Sequence, residues 1–255
     1  MAADCPGALA GRTALVTGAA SGIGAAIALA YAAEGARLCL ADRDPGPAVE
    51  EIRDQCAAYK TDVVTVRADV SDEKQVTRMF EEASARLGLI DVVVNNAGIA
   101  SESRVADMPT AMFDEMIAID LRSVFLCSRA ALPPMLEAGL GRIINIASQV
   151  AQLGGAGLAH YAAAKAGVIG FTKSLARELG SSGVTANCIA PGPVETALGG
   201  NLSDEWKTAL MARLPLGRSG IPREVAPTAV LLASIPGGNL YTGQTLCPNS
   251  GDVMP

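Results

Sequence analysis

A glycine-rich segment near the start of the chain joins a short apolar run to a helix of small residues. The apolar run, residues 14–16, reads as a buried strand, and it ends in T-G-A-A-S-G-I-G at residues 17–24. Residues 23–33 have the composition of a helix, and a second apolar run over residues 37–41 ends at Asp42. Strand, glycine turn, helix and strand are the parts of a βαβ unit, whose two strands lie parallel. The segment therefore predicts an α/β fold.

The glycines and the acid have a physical interpretation as a dinucleotide site. Glycine lets the backbone turn sharply and approach a pyrophosphate, whose charge is stabilised at the helix N-terminus. Asp42 lies 18 residues beyond Gly24, where a carboxylate can accept hydrogen bonds from an adenine ribose. A tight turn followed by an N-cap Asp would give the same letters without a ligand. The order of strand, glycines, helix, strand and acid favours the dinucleotide site.

The same alternation continues along the whole chain. Apolar runs alternate with helical patterns, among them a long one over residues 109–137 that the pair Pro133-Pro134 disturbs near its end. The predicted strands cover residues 14–16, 37–41, 62–68, 91–94, 142–147, 184–189 and 242–246. We expect one α/β domain over residues 1–255, a Rossmann-like doubly wound parallel sheet of about seven strands with helices on both faces.

The composition excludes several other classes of protein. The net charge of −6 and the pI near 4.9, without any basic run, argue against a nucleic-acid partner. Residues 13–33 are uncharged, but their glycines would weaken a membrane-spanning helix, so we expect a strand-turn-helix and no membrane partner. The six scattered cysteines, without C-x-x-C pairs or a secretion signal, predict reduced thiols in a cytoplasmic protein. We predict no metal site.

A second group of chemically active residues lies between Ser148 and Lys165. Ser148 follows a predicted strand, a loop with three glycines comes next, and a helix begins near residues 160–161. On that helix Tyr161 and Lys165 are four apart, so an ammonium group shares a face with a phenol. Chance supplies such a pair with probability ~0.08 in a chain of this composition. The pair therefore predicts a site only in combination with its surroundings.

Six segments, taken in order, resemble the signatures of the short-chain dehydrogenase/reductase family over essentially the whole chain. They are T-G-x-x-x-G-x-G at residues 17–24, Asp69-Val70, N-N-A-G at residues 95–98, Ser148, Y-x-x-x-K at residues 161–165 and P-G-x-x-x-T at residues 191–196. Each match alone is modest evidence. Six collinear matches, with Ser148 and Tyr161 separated by 13 positions, exceed what coincidence supplies.

The resemblance implies reversible hydride transfer between a nicotinamide and the carbon of a carbonyl or secondary alcohol. Tyr161 would be the general acid/base, because a free phenol with a pKa of about 10 needs a neighbouring cation to ionise near neutral pH. Lys165 would supply that cation and also bind the nicotinamide ribose. Ser148 would hold the substrate oxygen and stabilise its developing charge.

The resemblance also implies NAD as the cofactor. An acid such as Asp42 at the end of the second strand bonds the 2′-hydroxyl and repels a 2′-phosphate, whereas NADP-preferring members carry Arg or Lys in this region, as Arg43 is here. Asp69 would bond the adenine amino group, and Asn95 would position the cofactor through its loop. The full set of implied cofactor-binding residues is Gly18, Ser21, Gly22, Ile23, Gly24, Asp42, Arg43, Asp69, Val70, Asn95, Ala97, Gly98, Tyr161, Lys165, Pro191, Gly192, Val194 and Thr196.

One position departs from the family pattern. The family has a catalytic Asn 25 residues after the position of Asn95, and this chain has Asp120 there. In the family that Asn holds a water that links the lysine to solvent. Asp accepts the same hydrogen bonds but does not donate when ionised, and its charge can raise the pKa of Lys165. We therefore expect Asp120 to take part in catalysis, with an altered pH dependence.

Three functions remain open. The chain is similar to bacterial 3-oxoacyl carrier-protein reductases and to NAD-linked secondary alcohol and polyol dehydrogenases. An acidic carrier protein requires cations near the cleft, and residues 136–139 and 180–183, at two helix ends, offer none. We therefore predict a small secondary alcohol or ketone as substrate, with reduction of a 3-oxoacyl-(acyl-carrier-protein) or 3-oxoacyl-CoA as the alternative. A non-catalytic dinucleotide-binding regulatory or scaffold protein is the third possibility.

Further expectations concern the periphery of the site. Residues 197–214 would close over the substrate as a lid. The resemblance implies a homo-oligomer, a dimer or a tetramer, formed through the fourth and fifth crossover helices and the last strand. A Ser-His-Asp hydrolase that uses His160 fails because the chain has no G-x-S-x-G. We expect His160, the only His, in a loop or an interface at the mouth of the cleft.

Overall fold

A parallel sheet of seven strands forms the centre of the molecule. The structure, a computed structural model, describes residues 7–44, 46–197, 208 and 211–254. The strands are β1 (Thr13–Thr17), β2 (Arg37–Asp42), β3 (Val63–Arg67), β4 (Val92–Asn95), β5 (Gly141–Ile146), β6 (Val184–Ile189) and β7 (Thr245–Leu246). Their order is β3-β2-β1-β4-β5-β6-β7, and every neighbouring pair is parallel. The predicted α/β class and doubly wound sheet are confirmed.

Helices cover both faces of this sheet. They are α1 (Gly22–Ala33), α2 (Pro47–Ala57), α3 (Glu73–Leu87), α4 (Thr110–Ile117), α5 (Ser123–Ala138), α6 (Val150–Leu153), α7 (Ala159–Leu179) and α8 (Pro222–Ala233). A π-helical turn, Ala118–Arg122, joins α4 to α5. One buried cluster contains residues of α1, α2 and α8, and another contains residues of α3, α5 and α7.

The strands are apolar throughout because both of their faces are buried. Successive residues of a strand point to opposite faces of the sheet. Ala14 and Val16 accordingly pack with α1 and α8, whereas Leu15 between them packs with α3 and α5. Few residues are aromatic, so this interior consists mainly of Ala, Val, Leu and Ile side chains. Each fully buried Leu or Ile contributes roughly 1.5–3 kcal/mol relative to an exposed one.

The direction of winding reverses between β1 and β4, which are neighbours in the sheet. The chain moves from β1 outward to β2 and β3, returns to β4, and then moves outward on the other side through β5, β6 and β7. At such a switch the loops that follow the two central strands diverge and leave a crevice at the carboxyl ends of the strands. The glycine turn after β1 and the N-N-A-G segment after β4 border this crevice.

The long helical pattern, the last strand and the lid are the predicted elements whose bounds differ from the structure or lie partly outside the described residues. The long helical pattern over residues 109–137 consists of α4, the π-helical turn and α5, and α5 continues through Pro133 and Pro134 because it packs on β4 and β5. The last strand is shorter than predicted, with only Thr245–Leu246 paired to β6. The predicted lid over residues 197–214 lies mostly outside the described residues.

Residues 13–33 form β1, the glycine turn and α1, as expected. Within the described ranges, no helix combines the length and the apolar character needed to cross a membrane. The cysteines in those ranges are all free thiols, namely Cys39, Cys56, Cys127, Cys188 and Cys247, and Cys5 lies outside them.

Candidate active site

A cleft of about 1210 Å³ lies at the carboxyl ends of the central strands. Of the predicted site residues, it is lined by Gly18, Ser21, Gly22, Ile23, Asp42, Arg43, Asp69, Val70, Ala97, Gly98, Asp120, Ser148, Tyr161, Lys165, Pro191, Gly192, Val194 and Thr196. Gly24 and Asn95 are the two predicted residues that do not line it. Positions from the start, the middle and the end of the chain therefore meet at one cleft.

The glycine turn leaves open space in front of the N-terminus of α1. Gly18 and Gly22 have φ values of +64° and +57°, a region that favours glycine. A Cβ on Gly18 would lie 2.9 Å from the Cα of Ala97, and one on Gly24 would lie 2.2 Å from the Gly18 carbonyl oxygen. Gly24 thus permits close packing behind the turn rather than contact with a ligand. A bare backbone at a helix N-terminus fits the pyrophosphate of a dinucleotide.

Asn96 and Thr17 hold the glycine turn against the N-N-A-G loop. The Asn96 Nδ2 donates to the carbonyl oxygens of Thr17 and Gly18 at 2.9 and 3.1 Å. The Thr17 Oγ1 accepts hydrogen bonds from the backbone N–H groups of Asn96 and Ala97, both at 3.0 Å. Sequence reasoning did not single out Asn96, because its partners lie almost 80 positions away. Its side chain shapes the wall that would face the pyrophosphate.

Asn95 points into the sheet instead of the cleft. Its Nδ2 donates to the Asn145 Oδ1 at 2.8 Å and to the Ser128 Oγ at 3.3 Å, and the residue is buried. Asn145 in turn donates to the Thr172 Oγ1 of α7 at 2.8 Å. This buried chain of amides ties β4 to β5 and to α7. Any effect of Asn95 on a cofactor therefore passes through the loop that follows it.

Two acids stand on the side of the cleft expected to hold adenosine. The Asp42 Oδ2 accepts a hydrogen bond from the Ala20 N–H at 3.1 Å, so its carboxylate bridges the end of β2 and the glycine turn. The Asp69 Oδ1 accepts from the backbone N–H and the hydroxyl of Ser71 at 2.9 and 2.6 Å. Both carboxylates are thus held in place before any ligand binds. Arg43 lines the cleft beside Asp42.

Ser148, Tyr161 and Lys165 meet at the other end of the cleft. Ser148 follows β5, and its Oγ accepts a hydrogen bond from the Val150 N–H at 3.2 Å. The Lys165 Nζ lies 5.7 Å from the centre of the Tyr161 ring and donates to the Ile146 carbonyl oxygen at 3.0 Å. Because Tyr161 and Lys165 lie on adjacent turns of α7, the predicted pairing of phenol and ammonium is present.

Asp120 forms a buried ion pair with Lys165. Its Oδ2 lies 3.1 Å from the Lys165 Nζ, and its Oδ1 accepts a hydrogen bond from the Ile99 N–H at 2.8 Å. Asp120 is fully buried in the π-helical turn, a distortion that often occurs at functional sites. A Cβ on Gly98 would lie 2.9 Å from the Asp120 Oδ2, so the pair packs directly on a bare backbone.

The charge of Asp120 opposes the effect of Lys165 on Tyr161. Burial raises the pKa of the Tyr161 phenol, Lys165 lowers it, Asp120 raises it, the Ser148 hydroxyl lowers it, and the net direction is upward. Burial lowers the pKa of Lys165, but the charge of Asp120, assisted by Tyr161, outweighs burial and raises it. The structure therefore holds Tyr161 as a protonated phenol and Lys165 as a cation at neutral pH, which suits Tyr161 to donate a proton.

The position of His160 differs from the expectation of a loop or interface residue at the mouth of the cleft. It lies in the first turn of α7 and is fully buried, with its Nε2 2.9 Å from the Ser101 Oγ. Neighbouring residues of a helix point about 100° apart, so Tyr161 faces the cleft while His160 faces the loop around Ser101. Burial lowers the pKa of His160, which keeps the ring neutral.

Gln149 is a cleft residue that sequence reasoning missed. It follows Ser148 directly, it lines the cleft and it is buried. Nothing in the local pattern marks it, because its side chain belongs to no family signature quoted for the chain. Its position at the carboxyl end of β5, beside Ser148, is the signal that could have found it.

A doubly wound parallel sheet, a glycine turn at the switch point and a Ser, Tyr and Lys in the same cleft define an oxidoreductase that acts on carbonyl and hydroxyl groups. A family model described as Enoyl-(Acyl carrier protein) reductase matches residues 18–251. The chain belongs to the short-chain dehydrogenase/reductase family, whose members bind NAD(P).

Relatives match almost the entire chain. A 3-oxoacyl-(acyl-carrier-protein) reductase FabG of Vibrio cholerae is 42% identical over 248 residues, 96% of this chain and 99% of the relative. The enzyme of the same name from Staphylococcus aureus is 40% identical over 243 residues, 95% of this chain and 98% of the relative. A crystal structure from Beutenbergia cavernae has a TM-score of 0.90 and 38% identity and covers 97% of this chain and 98% of that chain. Its description names an NAD(P) dependent gluconate 5-dehydrogenase with bound NADP at low occupancy.

Proposed function

We propose that this protein reduces the 3-oxo group of an acyl thioester to a secondary alcohol with a nicotinamide dinucleotide. The observation that carries the reaction is the convergence of Ser148, Tyr161 and Lys165 at one cleft, with Tyr161 held protonated. The 3-oxoacyl group is supported by the relatives from Vibrio cholerae and Staphylococcus aureus, which carry the name 3-oxoacyl-(acyl-carrier-protein) reductase. The sequence alone favours a small alcohol or ketone as substrate, and the names of the relatives favour the 3-oxoacyl thioester instead.

Each group of the site has a separate task in this reaction. The bound dinucleotide supplies the hydride. The Ser148 hydroxyl donates a hydrogen bond to the substrate carbonyl oxygen and orients it. Tyr161 gives its proton to that oxygen as negative charge develops there. Lys165 stabilises the phenolate that results, and Asp120 keeps Lys165 charged and fixed against the Ile146 carbonyl.

We favour a substrate whose acyl group is attached to a small molecule over one whose acyl group is attached to an acidic carrier protein. Gly139, just after α5, and Gly183, just before β6, are in contact, since a Cβ on Gly183 would lie 2.0 Å from the Gly139 carbonyl oxygen. The segments 136–139 and 180–183 around them contain no basic residue. Both segments precede their strands and so lie at the amino ends of β5 and β6, across the sheet from the cleft, and the repulsion expected for an acidic carrier protein comes from the net charge of −6 of the chain. A thioester of coenzyme A carries a 3-oxoacyl group on a small molecule and needs no acidic carrier protein.

A small secondary alcohol or ketone remains the second candidate. The net charge of −6 favours it over an acidic carrier protein, and the Beutenbergia cavernae neighbour, whose description names a gluconate dehydrogenase, also supports it. For either substrate class we favour NAD over NADP, because the Asp42 carboxylate lies where it would repel a 2′-phosphate.

The decisive experiment follows absorbance of the reduced nicotinamide with purified protein. Acetoacetyl-CoA, the same acyl group on acyl carrier protein, and a panel of small ketones are each offered with NADH and with NADPH. We expect the highest kcat/KM with acetoacetyl-CoA. A higher value with the carrier protein would contradict the small carrier, and a higher value with a free ketone would establish the second candidate.

A Tyr161→Phe variant tests whether turnover depends on the proposed acid. The phenol proton is lost while the ring is kept, so we expect kcat to fall by about 10²-fold or more. Tyr59→Phe is the matched control, because Tyr59 is 55% exposed and does not line the cleft. Dinucleotide binding without turnover of any compound by the wild type would support the regulatory or scaffold alternative.

A further inference from the structure

Gln149 carries a buried acceptor that the described structure leaves without a partner. Among the described residues, several side chains hold a buried polar atom that makes no hydrogen bond, but only Asp120 and Gln149 of these line the cleft. The Asp120 oxygen concerned faces the Lys165 Nζ at 3.1 Å. The Gln149 Oε1 has no such counter-charge. An unsatisfied buried acceptor is energetically unfavourable, so it calls for a partner.

The backbone holds Gln149 beside the reacting groups. Its N–H donates to the Pro191 carbonyl oxygen at 3.0 Å, which ties the residue that follows Ser148 to the loop after β6. Its own carbonyl oxygen accepts from the Gln152 N–H at 2.9 Å, at the start of α6. The side chain is 2% exposed and is therefore confined. A substrate held by Ser148 would occupy the same cleft that Gln149 lines.

We propose that Gln149 is a substrate-recognition residue whose amide oxygen accepts a hydrogen bond from an N–H or O–H of the substrate, a few bonds from the reacting ketone. The inference rests on carbonyl reduction at Ser148 and Tyr161, and it deepens that function by naming a required feature of the substrate. Two sources supply such a donor. The carrier arm of a coenzyme A thioester has amide N–H groups, and a hydroxylated ketone has an O–H.

Selectivity of this kind follows from the cost of leaving the amide unpaired. A site built to bond an N–H or O–H discriminates strongly against an analogue that lacks it, because the buried acceptor then stays unsatisfied. An apolar pocket discriminates far less between substrates of equal size. Gln149 would therefore influence which ketone is reduced rather than whether reduction occurs.

Two pairs of substrates test the proposal by kcat/KM. S-(2-acetamidoethyl) acetothioacetate has an amide N–H, and S-(2-acetoxyethyl) acetothioacetate has an ester oxygen at the same place. 3-Hydroxy-2-butanone has a hydroxyl, and 3-methoxy-2-butanone has none. We expect wild-type protein to prefer the donor-bearing member of at least one pair by about tenfold or more, as one hydrogen bond to a buried group allows. The pair that shows the preference identifies the source of the donor.

Gln149→Met, which keeps the length of the side chain without its amide, should reduce that preference to less than about twofold while turnover of the other member persists. Gln152→Met is the matched control, since Gln152 is exposed and lies outside the cleft lining. Thermal melting of both variants verifies folding.

Equal kcat/KM within both pairs for the wild type, or a preference that persists in Gln149→Met, overturns the proposal while carbonyl reduction stands. Failure of the wild type to reduce any ketone overturns the proposed function itself.

Discussion

Among single residues, Asp120 acts on both titratable groups of the site, Tyr161 and Lys165. Its carboxylate raises the pKa of both Lys165 and Tyr161, and all three groups lie at the cleft. An amide at this position would keep the hydrogen bond from Ile99 through its oxygen but would carry no charge. Where the family resemblance implies an Asn, the Asp120 carboxylate thus shifts Tyr161 towards its protonated form, which suits the proposed reduction.

An Asp120→Asn variant should move the pH dependence of the reaction to lower pH. The variant removes the carboxylate charge that raises the pKa of Tyr161, while the lowering effects of Lys165 and Ser148 remain. Reduction requires the protonated phenol, so the alkaline limb of its pH–rate profile should move to lower pH. The acid limb of the profile for alcohol oxidation should also move to lower pH. Steady-state kcat from neutral pH to above the ordinary phenol pKa of about 10 measures both.

Asp114→Asn is the matched control for this charge change, because Asp114 is exposed on α4 and does not line the cleft. Its profile should coincide with that of the wild type. A profile of Asp120→Asn that stays in place, or that moves to higher pH, would show that the carboxylate does not act on Tyr161.

Asp42 is the single residue that we expect to set the proposed preference for NAD. Its carboxylate is held by the Ala20 N–H, and it lines the cleft together with Arg43. Asp42→Ala removes the repulsion of a 2′-phosphate, and the ratio of kcat/KM for NADH to that for NADPH should fall by about tenfold or more. Asp54→Ala, on the exposed side of α2, should leave the ratio as it is. An unaltered ratio in Asp42→Ala would place the preference elsewhere.

Among elements, the β1–turn–α1 unit depends on the close approach of two backbones. A Cβ on Gly24 would lie 2.2 Å from the Gly18 carbonyl oxygen and 2.5 Å from the Asn96 Nδ2. The turn can be formed only if α1 begins against bare backbone. The pyrophosphate site that we expect here therefore depends on the whole element and on its contact with the N-N-A-G loop.

A Gly24→Ala variant should lose dinucleotide affinity by about tenfold or more, because displacing the Gly18 backbone misplaces the N–H groups of the turn. Fluorescence titration with NADH measures this. Gly170→Ala on α7 is the control, since a Cβ there would contact nothing within 4 Å, and its NADH affinity should match the wild type. If Gly24→Ala bound NADH as well as Gly170→Ala does, the packing of the turn would not control the site.

On the scale of the whole molecule, several large apolar side chains are exposed on the single chain. Phe113 and Phe125 are 40% and 42% exposed, and the Phe125 ring lies edge-on to Phe171 with a centroid distance of 6.5 Å. Leu240, near the last strand, is 96% exposed. Exposed apolar groups of this size and clustering are typical of interaction surfaces. They lie on the crossover helices and near the last strand, where the family resemblance implies contacts between subunits.

We expect a native mass of two or four times 25.9 kDa by light scattering after gel filtration. Phe125→Glu should reduce that mass, because a buried unpaired carboxylate in an apolar interface is strongly unfavourable. Tyr59→Glu introduces the same charge at an exposed aromatic residue of a different surface and should leave the mass unchanged. A wild type that elutes at 25.9 kDa would contradict the expected oligomer.

Much of this fold follows from local patterns. Strand-length apolar runs, helical spacing and glycines at turns are encoded in neighbouring residues, so the seven strands and the doubly wound order were predictable. The spacing of Tyr161 and Lys165 placed them on one face of α7 for the same reason. The end of β7, the π-helical turn and the course of α5 through Pro133 were not predictable, because tertiary packing decides them.

The chain's residue order alone therefore establishes the sheet, the dinucleotide turn and the identity of Ser148, Tyr161 and Lys165 as candidates. Only the tertiary structure decides the electrostatics around them. The ion pair of Asp120 with Lys165 spans 45 positions, and the unpartnered oxygen of Gln149 is defined by what surrounds it in the cleft. Charge interaction and hydrogen-bond satisfaction depend on distances in space, which no local pattern records.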